Sequence, residues 1–350
     1  MISKKILAAC LLFIAANSFA QQTDMSLIPY RNGDKWGYAT PDKKIVIAPV
    51  YNDANWFSEG FASVKIGPKY GYINKQGKLV IPAKFTVAKP FRKGYMPDKK
   101  KEDGDSVLFA GASVETSGYE ICIDAKGNRM PKCPAINENS ASENATPIAT
   151  SVKEKSYSLP NSDGLFDKIV DDYKVTGSDE TYYIALKGDK YGVFNSKFVT
   201  IVPFQFNSIK INKDNPDPYL LVNQAGMFGV VMPDGKVSIA PEYSNLNVVK
   251  GPGGKEYVII QKNGKTYVKD ITNTDIISTG YSDIIYDNAG GFVITGDNNN
   301  RGFYFMDNSV IQPKYKEVKL LNGGKYLEVK TVSGKKGYIS NTGEEYFTGE

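Results

Sequence analysis

The sequence repeats itself, and that repeat limits the fold more than any single residue does. Gly33-Asp34-Lys35-Trp36-Gly37-Tyr38 leads into a polar turn at Pro41-Asp42-Lys43-Lys44, then Ile45-Val46-Ile47-Ala48-Pro49, then Phe57-Ser58-Glu59-Gly60. The same order returns 34 residues later as Gly67-Pro68-Lys69-Tyr70-Gly71-Tyr72, Asn74-Lys75-Gln76-Gly77-Lys78, Leu79-Val80-Ile81-Pro82 and Phe91-Arg92-Lys93-Gly94. The central glycine recurs at Gly192, Gly229, Gly302 and Gly337, and two drifted copies run through residues 121–127 and 265–270, which makes eight units. A second marker keeps the same register: an aromatic followed three places later by an apolar residue, as at Tyr51/Ala54, Phe85/Ala88, Phe206/Ile209, Tyr243/Leu246 and Tyr315/Val318. Units this short cannot bury a core alone, so they must pack on one another.

Each unit alternates runs rich in Val, Ile, Tyr and Phe with Gly, Asn, Asp or Pro turns, the pattern of an antiparallel meander. In the second unit, strands are predicted over residues 61–66, 70–74 and 78–81. Pro82 is expected to close the last of these, because it cannot donate to a ladder, and a short fourth segment follows over residues 85–91. Along the glycine strand Tyr70 and Tyr72 face one way while Gly71 and Ile73 face the other. Both faces are apolar or glycine, so a sheet is needed on each side, with the glycine making room for the adjacent unit. The expected fold is all-β: tandem meanders of about 35 residues stacked as blade-like sheets, in a propeller-like ring or an open β-superhelix. The first unit begins in mid-unit near Met25 and no complementary half-unit is evident, which leaves closure open.

Lys35-Trp36-Gly37-Tyr38, Ile45-Val46-Ile47 to Pro49, and Phe57-Ser58-Glu59-Gly60 resemble the WG-repeat family, named for a Trp-Gly pair that stands intact here as Trp36-Gly37. In later units Tyr70, Tyr191, Phe228, Arg301 and Lys336 replace the tryptophan. The resemblance implies repeats used for interaction, in bacterial proteins that are often exported, and it brings no catalytic residues.

Export is also read from the start of the chain. Lys4 and Lys5, an apolar run over residues 6–16 and Ser18-Phe19-Ala20 have the order of a secretory signal peptide over residues 1–20. Units 1–3 are then placed over residues 21–130, a flexible insertion rich in Asn, Ser, Glu and Pro over residues 131–163, and units 4–8 over residues 164–350. Two cysteines lie beyond the leader, Cys122 and Cys133, and an exported chain favours a disulfide between them. No later apolar run reaches the length of a membrane span.

The chain has no histidine. That absence excludes Ser-His-Asp and Cys-His nucleophilic machinery, imidazole bases and most zinc sites, and no cofactor or metal is expected. A net charge of +5 is too small to point to nucleic acid. Candidate contacts fall where the repeat breaks. Trp56 lies outside the repeated positions, where a tryptophan exposed beside a loop could contact a ligand although aromatics usually pack; Arg92 and Lys93, with Lys99-Lys100-Lys101 beyond them, form a basic cluster crossed by Asp98, Glu102, Asp103 and Asp105. Asp171-Asp172 and Asp163/Asp167 are the dense acidic spots that a histidine-free glycoside hydrolase would need. Asp214, Asp217 and Asp297-Asn298-Asn299-Asn300 lack the ligand order of a calcium loop. The reading that results is an exported, non-enzymatic scaffold that binds a protein partner, with a glycan-binding module as the alternative and a carboxylate hydrolase third.

Overall fold

The computed structural model describes residues 23–96, 106–113, 120–135, 157, 164–212, 218–321 and 323–349. The expected leader at residues 1–20, the lysine run 99–101, Asp163, Asp214, Asp217 and the expected insertion from residue 136 onward, apart from Tyr157, lie outside them. The described chain is strand throughout, save for one short 3-10 turn at Pro252–Gly254. Its strands form eight sheets among the described residues, one for each unit of the repeat.

The chain divides into two compact units. The first comprises Met1–Thr146 with Tyr346–Gly349 and holds the first three sheets; the second, from Pro147–Glu345, holds the remaining five. The fifth sheet shows the regular pattern: Ser208–Asn212, Tyr219–Gln224, Met227–Val231 and Val237–Tyr243 pair antiparallel in chain order. The fourth, sixth and seventh sheets follow it.

Alternation along each strand sends one set of side chains to each neighbouring sheet. Within the second unit, Tyr173, Ile184, Val193 and Val202 of the fourth sheet pack on Ile211, Leu220 and Val222 of the fifth. Tyr219, Val230 and Ile239 of the fifth then meet Val258 and Ile260 of the sixth. In the first unit Tyr72, Ile81 and Phe85 of the second sheet pack on Phe91, Ala110 and Ile123 of the third. Tyrosine serves here because its ring fills the core while its hydroxyl reaches a backbone acceptor. Tyr38 donates to the Asn55 carbonyl at 2.7 Å, and Tyr72, one repeat later, donates to the Lys89 carbonyl at 2.8 Å.

Two expectations need correction. Pro82 does not close its strand, which runs through it over Leu79–Phe85. Tyr70 pairs with Phe85 and Tyr72 with Ile81, so one residue, Gly71, faces three on the opposite strand. A Cβ on Gly71 would lie 2.6 Å from the Ile81 carbonyl oxygen, and one on Gly229 would lie 2.5 Å from that of Ile239. The glycine therefore makes room for a bulge in the neighbouring strand of its own sheet, not for the adjacent unit. Proline is tolerated inside that bulge because the fourth strand is an edge and loses no ladder bond there. In the sixth sheet Tyr267 replaces the glycine, and the space reappears opposite, where a Cβ on Gly280 would meet the Tyr267 hydroxyl oxygen at 2.8 Å.

The second correction concerns the missing half-unit. Phe347–Thr348 pairs in parallel with Ile28–Asn32, completing a first sheet otherwise built from Lys35–Ala39 and Ile45–Tyr51. Buried Arg31 secures this strand: Nη1 donates to the carbonyls of Gly33 at 2.6 Å and Gly349 at 3.0 Å, and the guanidinium lies 5.4 Å from the centre of the Phe347 ring.

Candidate functional site

The hairpins that join third to fourth strands are built by one recurring device. Asn74 Oδ1 accepts from the backbone N–H of Gln76 and Lys78, Asn195 Oδ1 from Lys197 and Val199, and Asp270 Oδ1 from Thr272 and Thr274. A short side chain that caps its own turn in this way fixes the loop without help from a core. Two of these hairpins rest on the preceding sheet. In the second unit Tyr173 of the fourth sheet donates to the Pro233 carbonyl at 3.4 Å, and Ser238 of the fifth donates to the Ile271 carbonyl at 2.7 Å.

These contacts hold the turns of the fifth and sixth sheets around a cleft of about 680 Å³. Val175 and Tyr182 form its wall from the fourth sheet, Pro218, Tyr219, Met232, Pro233 and Asp234 that from the fifth, and the sixth sheet adds Gly254, Lys255, Glu256, Asp270, Ile271 and Thr272. Tyr182 is held flat by Tyr173, with ring centroids 5.2 Å apart and planes 11° from parallel. The 3-10 turn at Pro252–Gly254 has Gly253 and Gly254 at positive φ, and it is closed by Gly251 N–H donating to Lys255 O at 2.7 Å.

Glu256 is the unusual residue: it heads an apolar strand and is only 5% exposed. Its Oε1 accepts from Asn212 Nδ2 at 3.2 Å and from the Tyr219 hydroxyl at 3.3 Å. Burial pushes the Tyr219 hydroxyl up to about 12; the Glu256 carboxylate works in the same direction, against the hydrogen bond from Asn212. Asp270 is partly desolvated, which raises its pKa, yet the hydrogen bonds of its turn hold the carboxyl below 3.8. Among the described residues, three acids thus line the cleft against one base, Lys255, whose Nζ sits 5.3 Å from the Tyr257 ring centre. A second cleft of about 520 Å³ opens between the sixth and seventh sheets and is rich in amides from Asn245, Asn247 and Gln261.

None of the residues singled out from the sequence lines either cleft. Trp56 is half-buried and its indole nitrogen is covered, so its ring packs as aromatics usually do. Lys93 Nζ stands 3.7 Å from Glu59 Oε2, and the Arg92 guanidinium lies 5.1 Å from the Phe109 ring centre, so these two neighbours engage different partners. Tyr157 donates to Asp172 Oδ1 at 2.7 Å, Asp171 Oδ1 accepts from the Asp172 N–H at 2.9 Å, and Asp167 caps Gly188. Asp297 pairs with Lys265. Cys122 and Cys133 form a disulfide with Cα atoms 5.3 Å apart, and Ala135 beyond it bridges to Tyr95. Among the described residues no three acidic, cysteine or histidine side chains gather as a metal site, and no helix is long and apolar enough to cross a membrane.

The cleft is assembled from loops of three units, each of which reads alone as an ordinary turn. One signal for it does exist in the sequence: an acid, Glu256, directly before Tyr257-Val258-Ile259-Ile260, where the repeat otherwise leads to a buried position.

Comparison with known proteins places two units. The family model for the WG containing repeat matches residues 36–70 and 70–97. No curated protein matches the sequence. Solved structures similar to the chain include "Crystal structure of the eukaryotic initiation factor" (10% identity, 93% of this chain and 95% of that one, TM-score 0.30). Others are a dihydro-heme d1 dehydrogenase, NirN (12%, 93% and 73%, TM-score 0.29), and the C-terminal WD40 domain of Sif2 (11%, 91% and 93%, TM-score 0.27).

Proposed function

Starting from the WG-containing repeats at residues 36–97, we propose that this is an exported, non-enzymatic repeat protein that binds a protein partner in the bacterial cell envelope or outside the cell. The observation that carries this reading is the use made of the repeat. Apolar faces are consumed between sheets, while the turns of three successive sheets are left to enclose an apolar-walled cleft. Such a surface suits recognition of a polypeptide. Export is supported by the order of residues 1–20 and by the Cys122–Cys133 disulfide, a bond that persists in oxidising compartments. The lack of histidine supports a binding role over catalysis.

The test is cross-linking in the native cells with a photoreactive residue at Thr272, on the cleft lining, combined with fractionation. One polypeptide cross-linked to the envelope or secreted protein is the supporting result. Saturable binding on a glycan array, abolished by Trp56→Ala and with no polypeptide captured, would replace this reading with the glycan one. Recovery in the cytoplasm with both cysteines reduced would remove export.

A further inference from the structure

We propose that the cleft of the fourth, fifth and sixth sheets receives a cationic side chain, arginine or lysine, flanked by an apolar residue on the partner polypeptide. This specifies the ligand of the protein-partner reading and rests on it. Charge gives the sign of the occupant. Among the described residues, Asp234, Glu256 and Asp270 line the cleft against the single base Lys255, a balance that repels an anionic ligand and attracts a cation. Several other carboxylates of this unit are matched with lysines, as in Glu242 with Lys262, Asp275 with Lys269 and Glu317 with Lys330, while Asp287 and Asp307 are engaged by their own turns. Asp234 and Asp270 form no such pair among the described residues. Their turns engage Oδ1 through Lys236 N–H in one case and through Thr272 and Thr274 in the other.

Shape and polarity give the rest. Tyr182, Tyr219, Met232 and Ile271 offer two rings, a pliable thioether and an aliphatic wall. Such walls accept the methylene stem of a long basic side chain while carboxylates meet its head. A bare metal cation would leave this apolar surface uncovered, and an uncharged apolar group would leave the acids unmatched. A basic residue beside an apolar one satisfies both.

The experiment selects phage-displayed random dodecapeptides on the full-length mature protein, then measures synthetic versions of the selected sequences by fluorescence anisotropy. Selected peptides should carry an arginine or lysine next to an apolar residue. Replacing that arginine with isosteric, uncharged citrulline, or that lysine with norleucine, should weaken binding about tenfold. The double variant Asp234→Asn/Asp270→Asn should weaken it by about the same factor. It should keep its fold, because asparagine performs the same capping at Asn74 and Asn195; an unaltered far-ultraviolet circular dichroism spectrum and a cooperative thermal transition verify this. Peptides without cation enrichment, failure to select any peptide, or equal binding to citrulline and arginine forms would each overturn the proposal. A native partner cross-linked equally by wild type and double variant sinks the cleft but spares the protein-partner reading. A wild type that cross-links nothing sinks that reading itself.

Discussion

Gly229 shows how much of this fold turns on one missing methyl group. Between Phe228, paired with Tyr243, and Val230, paired with Ile239, it faces three residues of a bulged edge strand, whose backbone occupies the place a Cβ would take. Gly229→Ala should therefore cost about 2–3 kcal/mol in urea unfolding, since the obstacle is backbone and not a rotatable side chain. A loss below about 0.5 kcal/mol would mean that the bulge yields freely and does not dictate the glycine. The repeated Gly-apolar pattern is legible in the sequence, but its reason is not: space for a neighbouring unit and space for a bulge predict the same letter. The aromatic before the glycine is less uniform than the repeat implies. Trp36 is 5% exposed whereas Phe228 is 38% exposed, and charged Arg301 takes the same place because the position sits at the sheet's margin. Trp56 shows that a residue outside the repeat can still be partly covered by it.

The hairpin turns set the acid limit of the elements they close. Hydrogen bonds from Ser309 hold the Asp307 carboxyl below 3.8. At Asp124 and Asp270 burial pushes upward, and the hydrogen bonds of the turn outweigh it. A depressed folded pKa contributes stability that is present above the unfolded value, near pH 4, and is lost as pH falls through the folded one. Thermal unfolding should be flat from about pH 7 to about pH 5 and fall steeply below about pH 4. Asp270→Asn should reduce that fall while retaining the turn; an unaltered acid profile would exclude Asp270 as a contributor. The third sheet has a different fastener. Cys122 and Cys133 are 11 residues apart, so reduction should cost about 2–3 kcal/mol in the chain-entropy account, read as a lower denaturation midpoint in dithiothreitol. Turn residues such as Asn74 and Asp270 were legible because the chemistry is local. The cleft was not, because Tyr182, Met232 and Glu256 come together only through stacking between units.

At the scale of the molecule, eight repeats in the sequence become eight sheets among the described residues, and the count was legible because each sheet is assembled almost wholly from consecutive strands. One departure was hidden: Phe347–Thr348 pairs with a strand more than 300 residues earlier, and a parallel pair carries no hairpin signal. Deleting the residues after Glu345 removes buried Tyr346 and Phe347 and the Gly349 acceptor of Arg31. The first compact unit should lose about 3 kcal/mol or more. Both tryptophans of the chain, Trp36 and Trp56, lie in that unit, so tryptophan fluorescence reports its unfolding selectively. Unchanged fluorescence unfolding in the truncated chain would deny the strand a structural role. The same pairing orders events in time. The regular sheets can each close as soon as their own four strands have emerged from the ribosome, but the first to be synthesised is the last that can be finished. Until Phe347–Thr348 arrives, Ile28–Asn32 keeps an open edge that a chaperone must cover or that a second nascent chain can invade.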